Sequence, residues 1–325
     1  MNGAPSSVWN LGGDMKLEGI HHITAITGDA PQNVRFYAGT LGLRLVKKSV
    51  NQDVPTIYHL FYADEVGGAG SDITFFEYPG APKGRVGAGM VHRITWRVGS
   101  EKALGFWEER LASHGFGSAH VDGRLRFEDP EGLDLELAVV NTTDEPLRAR
   151  HPEVPEEYAL LGFEGVRAYT EDPSASADLL SSTLNFVPDP APSWTVRGER
   201  RGSTYVYDEA PAAPGVQGAG TVHHVAWACP VEEHGDWRVR VAAAGADITP
   251  IIDRYYFKSI YFREPSGVLF EIATLGPGFG VDEPLGTLGE ALALPPNYRH
   301  LRDELEKELT PLPDPRAETL TRQRK

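Results

Sequence analysis

The chain of 325 residues, 41% hydrophobic and 24% charged, is long enough for two ordinary domains, each with its own core. Its formal charge of -15 argues against a nucleic-acid or anionic-membrane partner, since both need a basic face. The single cysteine, Cys229, excludes an internal disulfide and a cysteine-built zinc or iron–sulfur site. No apolar run approaches membrane-spanning length, and the first residues lack a basic start followed by an apolar stretch, so the expected compartment is the cytoplasm.

Residues 1–16, rich in Gly, Ser and Asn, read as a flexible lead-in. From Gly19 the pattern predicts a strand (GIHHITAIT), then a helix over PQNVRFYAGTLG with Asp29 as its N-cap and Gly39 and Gly42 at its end. LRLVKKSV, IYHLFYAD and DITFFEY follow as strands, which gives the order βαβββ. The order recurs three times. MVHRITWRV, the helix EKALGFWEERLASHG and the hairpin RLRFEDPEGLDLELAVV make a second unit. GFEGVRAYTED, a helix over PSASADLLSSTLN and strands near SWTVRG and STYVYDE make a third. TVHHVAWACP, a helix over HGDWRVRVAAAGA and the hairpin SIYFREPSGVLFEIAT make a fourth. Repetition at this period fixes the architecture as α+β, four βαβββ modules with sheets curling around a cavity.

The modules divide the chain into a first pair over 17–142, a polar and Pro-bearing linker over 143–161, a second pair over 162–282, and a C-terminal loop and helix over 283–325. The Gly/Pro-rich loop after Thr274 reads as a cover over a site, and RHLRDELEKELTPL as an outer helix, with GEALAL also on a helix surface.

The histidine pairs His21-His22 and His223-His224 stand at equivalent places in the first and last modules. At the second position of the pair, module two has Arg93 and module three Gly165, so only modules one and four can ligate a cation there. Glu271 lies in an otherwise apolar strand (VLFEIAT), where a carboxylate is costly to bury unless paired or metal-bound. Two histidines and one carboxylate from separate strands would form a facial triad with open positions, an arrangement suited to Fe(II) or Mn(II). Pro265-Ser266-Gly267 suits a three-residue hairpin loop, which would place Tyr261 opposite Glu271 on one face. Adjacent strand residues point to opposite faces, so His21 and His223 reach the site only if the strand starts are irregular.

The motifs GIHHIT, TVHHVAW and YFKSIYFREPSGVLFEIAT resemble the vicinal-oxygen-chelate (glyoxalase, bleomycin resistance, extradiol dioxygenase) superfamily over residues 17–282, and within it the hydroquinone-type ring-cleaving dioxygenases. The resemblance implies cup-shaped sheets, here module one with four and two with three, and Fe(II), or alternatively Mn(II), on His22, His224 and Glu271. It implies a small aromatic substrate and O2 as partners, with His223, Tyr261 and His21 handling protons. Arg254 would reach the substrate oxygen, with Thr24 as a further contact, and a homo-oligomer is left open. The rival readings are a glyoxalase-like lyase with four ligands, a catechol extradiol enzyme and a metal-free binding protein. Aligning SDITFFE with SGVLFEI places Phe76 at the Glu271 position and turns Glu77 to the other face, which favours three ligands.

Overall fold

The computed structural model describes residues 15–190 and 192–314; the lead-in expected over 1–16 lies, up to residue 14, outside them. Module one consists of β1 (Ile20–Thr27), α1 (Ala30–Val34), β2 (Arg44–Val50), β3 (Tyr58–Ala63) and β4 (Asp72–Glu77). Asp29 caps α1 by accepting from the Gln32 N–H at 2.9 Å, and the helix runs on as a π-helical turn over Arg35–Thr40. Module two has β5 (Met90–Val98), α2 (Glu101–Ser113), β6 (Ser118–Val121), β7 (Arg124–Glu128) and β8 (Asp134–Val139). Module three has β9 (Phe163–Thr170), β10 (Val187–Asp189), β11 (Ser193–Arg197) and β12 (Gly202–Glu209). Its helix is reduced to a 3-10 turn over Pro173–Ser176 and a π turn over Leu179–Thr183. Module four has β13 (Val222–Cys229), α3 (His234–Ala243), β14 (Ile252–Asp253), β15 (Lys258–Arg263) and β16 (Leu269–Thr274). A last helix, α4, covers Arg302–Glu308.

Two eight-stranded sheets result, in the orders β14-β15-β16-β13-β1-β4-β3-β2 and β10-β11-β12-β9-β5-β8-β7-β6. Module one therefore joins module four through the antiparallel β1–β13 seam, and module two joins module three through β5–β9. The predicted pairing is the observed one, so each sheet draws one unit from either half of the chain. Buried apolar residues from both sheets and the helices, among them Trp96, Trp107, Trp227 and Trp237, form one continuous core. A smaller cluster lies apart from it, with Val46, Phe61, Ala226, Tyr256, Phe257, Phe279 and Leu288.

The Gly/Pro-rich segment after Thr274 runs back across the chain to module one. Lys47 on β2 is fully buried and donates to Asp282 Oδ1 at 2.8 Å, to the Phe279 carbonyl at 3.2 Å and to the Glu283 carboxylate. Arg44 donates to the carbonyls of Leu285, Gly286 and Leu288. GEALAL is not helical. Leu292 bridges to Lys48, and the Ala293 N–H donates to the Lys48 carbonyl at 2.8 Å, so the edge of β2 satisfies a backbone that a helix would have satisfied internally. Among the described residues no helix is long and apolar enough to cross a membrane.

Replacing Lys47 by Ala leaves two largely buried carboxylates without their cation, which costs about 3–5 kcal/mol for a buried pair. The expected result is a Tm lower by about 5–8 °C, measured by calorimetry.

Candidate metal centre

The β1–β13 seam and its flanking strands lay the site out in two rows. Across β15, β16, β13, β1 and β4 run Tyr261, Glu271, Ala226, His22 and Asp72, each paired with the next. Across β13, β1, β4 and β3 run His224, Thr24, Thr74 and Phe61. The rows are related by the module repeat, which exchanges His22 with His224, Ala226 with Thr24, Glu271 with Thr74, and Tyr261 with Phe61. The three-residue hairpin loop holds Tyr261 opposite Glu271 as its length requires, with Gly267 at φ +104° closing the turn.

Three ligand atoms meet where the rows cross. Glu271 Oε2 lies 2.9 Å from His224 Nε2 and 3.3 Å from His22 Nε2, and the two Nε2 atoms are 3.3 Å apart. Glu271 has no exposed surface, and neither of its oxygens makes a hydrogen bond of acceptable geometry. A fully buried carboxylate left so is costly unless a cation sits on it. Among the described residues this is the one His/Cys/Asp/Glu group that could hold a metal ion.

Each pair owes its arrangement to a β-bulge. The register between β1 and β13 slips between Ile20 and His22 and again between Thr24 and Ala25, which makes His21 and His223 the extra residues. The bulge lets both members of a pair approach the same site, which regular alternation would forbid. It also fixes the tautomers. His21 Nε2 lies 3.2 Å from the Thr274 carbonyl and so carries the proton; its Nδ1, 2.9 Å from His22 Nδ1, accepts. His22 is then protonated on Nδ1 and presents a lone pair at Nε2. His223 Nδ1 stands 2.8 Å from His224 Nδ1, and a proton on the His224 Nδ1 would leave its Nε2 free in the same way. Both Nε2 lone pairs and the carboxylate thus converge without a proton between them, and the donor set fits a divalent cation.

The electrostatics agree. Burial, and next the neighbouring His22, push the His21 pKa down to about 3; burial and His224 push His223 down to about 4. Both are neutral imidazoles at ordinary pH. Burial raises the Tyr261 hydroxyl well above the ordinary phenol, with Glu271 adding to the shift, so it stays protonated.

A cavity opens from the triad and is lined by Thr24, His59, Phe61, Phe76, Arg254 and Tyr261, among others. Arg254 Nε donates to the Tyr261 hydroxyl at 3.3 Å, while its Nη1 and Nη2 form a two-pronged pair with Asp53 at 3.1 Å each. Thr24 Oγ1 is 2.9 Å from Thr74 Oγ1. All the predicted site residues, His21, His22, Thr24, His223, His224, Arg254, Tyr261 and Glu271, therefore gather at one place. One equivalence needs correcting: the register puts Thr74, not Phe76, at the Glu271 position. The facing still holds, because Phe76 is two residues on and lines the cavity, whereas Glu77 turns outward to the Ala30 N–H and Thr310. Sequence reasoning missed His59, Asp53 and Phe257. His59 alternates with Phe61 on β3, and that two-residue spacing, carried over from Tyr261, was the available signal.

In the second sheet Arg93 pairs with Asp134 at 2.6 Å, Glu136 is held by Arg124 and Arg126, and Gly165 offers no side chain.

The family model "Glyoxalase/Bleomycin resistance protein/Dioxygenase superfamily" matches residues 19–137 and 160–272, and the chain belongs to that superfamily. Its relatives place it among the ring-cleaving dioxygenases. It is 42% identical over 308 residues, 91% of this chain and 97% of the relative, to "Putative ring-cleaving dioxygenase MhqO" of Bacillus subtilis. It is 32% identical over 324 residues, 89% of this chain and 95% of the relative, to the "Chlorohydroquinone/hydroquinone 1,2-dioxygenase" of Sphingobium indicum. A crystal structure of a "putative dioxygenase" from Bacillus subtilis superposes with a TM-score of 0.85 at 40% identity, over 92% of this chain and 98% of that one. Glyoxalase I of Zea mays, at 15% identity and a TM-score of 0.56 over 79% of this chain and 92% of that one, shares the fold.

Ala at His22, His224 or Glu271 is expected to abolish metal retention with the fold intact, by metal analysis and circular dichroism of the purified variants. Ala at Arg93 or Glu77 is expected to leave the metal content at the wild-type level. Loss of metal in Glu77→Ala as complete as in Glu271→Ala would refute the three-ligand site.

Proposed function

We propose that the protein opens hydroquinone-type aromatic rings with both atoms of O2, using Fe(II), or alternatively Mn(II), on His22, His224 and Glu271. The observation that carries the reading is the corner left free of ligand. The repeat puts Thr74 where a second carboxylate would make a four-ligand, glyoxalase-like site, so three ligands leave room for two small reactants. The relative named for hydroquinone supports the substrate class. The same corner counts against the lyase reading, and Gly165 in module three counts against a catechol-type site built from modules three and four.

When bound, such an ion supplies a Lewis-acid site for one ring oxygen and for O2 and a path for electron density between them. The chain's own residues do the rest. Phe61, Phe76 and Phe257 line the cavity and would hold a flat ring away from water. Arg254 carries a permanent charge beside Tyr261 and would stabilise a ring oxygen that has lost its proton, which must then compete with Asp53 for the guanidinium. Tyr261, kept protonated, is placed to donate at the reacting oxygen. His223 Nδ1 is occupied by His224, so His223 offers an Nε2–H to the mouth as a hydrogen-bond donor. His21 acts one bond further back, keeping His22 in the ligating tautomer.

The test is O2 uptake by anaerobically purified, Fe(II)-loaded protein offered hydroquinone, catechol or the methylglyoxal–glutathione adduct. One O2 per hydroquinone, with loss of the ring absorbance, is the expected outcome. Arg254→Ala is expected to lower kcat/KM for hydroquinone about 100-fold. Turnover of the glutathione adduct without O2 uptake would instead establish the lyase reading.

A further inference from the structure

The wall of the cavity opposite Arg254 and Tyr261 carries a polar row whose histidine, His59, has no role so far. His59 Nε2 lies 2.9 Å from Thr74 Oγ1, and Thr74 Oγ1 lies 2.9 Å from Thr24 Oγ1. The His59 ring is packed against Phe61, with centroids 3.9 Å apart, and against Phe76 at 4.5 Å. Its orientation is therefore fixed on both sides. With Nε2 tied to Thr74, Nδ1 is the remaining polar atom of a ring that lines the cavity.

His59 is part-buried and faces the cavity, so Nδ1 is open to a ligand there. The repeat supplies a second argument. The module-four residue equivalent to His59 is Ser259, which is fully buried and does not line the cavity, so the imidazole is peculiar to the metal-poor half of the site. Burial, with His22 and His224 next, holds His59 well below the ordinary imidazole range, so this wall is uncharged whereas the Arg254 wall is cationic.

We propose that His59 is a specificity-determining residue whose Nδ1 hydrogen-bonds a neutral hydroxyl on the ring remote from the metal-bound oxygen. The inference rests on the ring-cleaving reading and deepens it. The preferred substrate is then a ring with two hydroxyl groups set apart across it, one on the metal and Arg254 side and one at His59. The hydroxyl row suits this partner whichever way it is polarised. If Thr74 donates to Nε2, Nδ1 bears a proton and donates to the substrate; if Nε2 donates, Nδ1 accepts. A phenolic hydroxyl can answer either. A catechol places both hydroxyls on the metal side and leaves Nδ1 unpaired in a desolvated wall, and phenol leaves it unpaired as well. Sites built to pair a hydroxyl discriminate against ligands that lack it.

The test is calorimetric titration of the Fe(II)-loaded protein under argon with hydroquinone and with phenol, so that no turnover is involved. Wild type is expected to bind hydroquinone about tenfold more tightly than phenol. His59→Phe, which keeps the aromatic packing, is expected to lose that preference by weakening hydroquinone alone, and His59→Gln, which keeps a polar end, to retain part of it. Should His59→Phe not fold, His59→Leu makes the same comparison by removing the ring nitrogens in a smaller side chain. A preference unchanged in these variants, or equal weakening of both ligands, overturns the proposal. A protein that binds hydroquinone through His59 yet consumes no O2 overturns ring cleavage and leaves His59 its role. A ring-cleaving protein indifferent to His59 overturns only the role of His59.

Discussion

Glu271 is a carboxylate with no exposed surface and no hydrogen bond on either oxygen, facing the Nε2 atoms of two imidazoles. Without a cation that arrangement is unfavourable, a desolvated charge with unpaired acceptors. Its existence depends on the seam between β1 and β13. Because those strands pair antiparallel across the repeat, His22 and His224 arrive from residues some 200 positions apart in the chain, and β16 brings Glu271 alongside. The second seam, β5–β9, has the same geometry and different side chains: Arg93 with Asp134, Gly165, and a Glu136 claimed by two arginines. One backbone plan thus yields a candidate metal site in one sheet and a network of ion pairs in the other.

The bulges at His21 and His223 connect backbone irregularity to chemistry. A regular strand would have turned one histidine of each pair away from the site. The extra residue in each strand instead places a second imidazole against the Nδ1 of His22 and of His224, a contact that would leave each Nε2 free for a cation. The Thr274 carbonyl fixes the far end of the His21 chain, so a backbone group at the end of β16 influences the tautomer of a ligand on β1. Metal-ligating histidines ordinarily take such a partner from a carboxylate or carbonyl; here it is a neighbouring histidine held neutral by burial.

The C-terminal segment contributes to the cavity from behind. Asp282 accepts from both Lys47 and the hydroxyl of Tyr256, and Tyr256 lines the cavity. A segment beyond the last module therefore ties an aromatic wall of the site to the outer strand β2. The expectation of a cover over the site was right in direction only: this segment packs behind the wall, and residues Asn51, Gln52 and Asp53 line the cavity itself. The carbonyl of Gln52 accepts from the Tyr298 hydroxyl at 2.6 Å, so the C-terminal region also holds that loop.

The repeat, the histidine pairs and the single carboxylate in VLFEIAT were all legible in the sequence, because period and strand alternation are local properties. So was the Tyr261–Glu271 pairing, because a three-residue hairpin loop sets its own register. Even the pairing of module one with module four could be read, since Arg93 and Gly165 leave no alternative ligand positions. The bulges could not be read, since an extra residue in one strand is defined only against its partner strand. Nor could the equivalence of Thr74 with Glu271: the turns before β4 and β16 differ in length, and alignment by neighbouring residues slipped by two, a shift that preserves facing and hides the error. GEALAL has helical composition, yet the free edge of β2 captured its backbone, and His59 acquired its importance only when β3 curled toward the cavity. Local sequence determined the elements and the ligand types; the contacts between distant strands decided which atoms face the metal and what lines the space beside it.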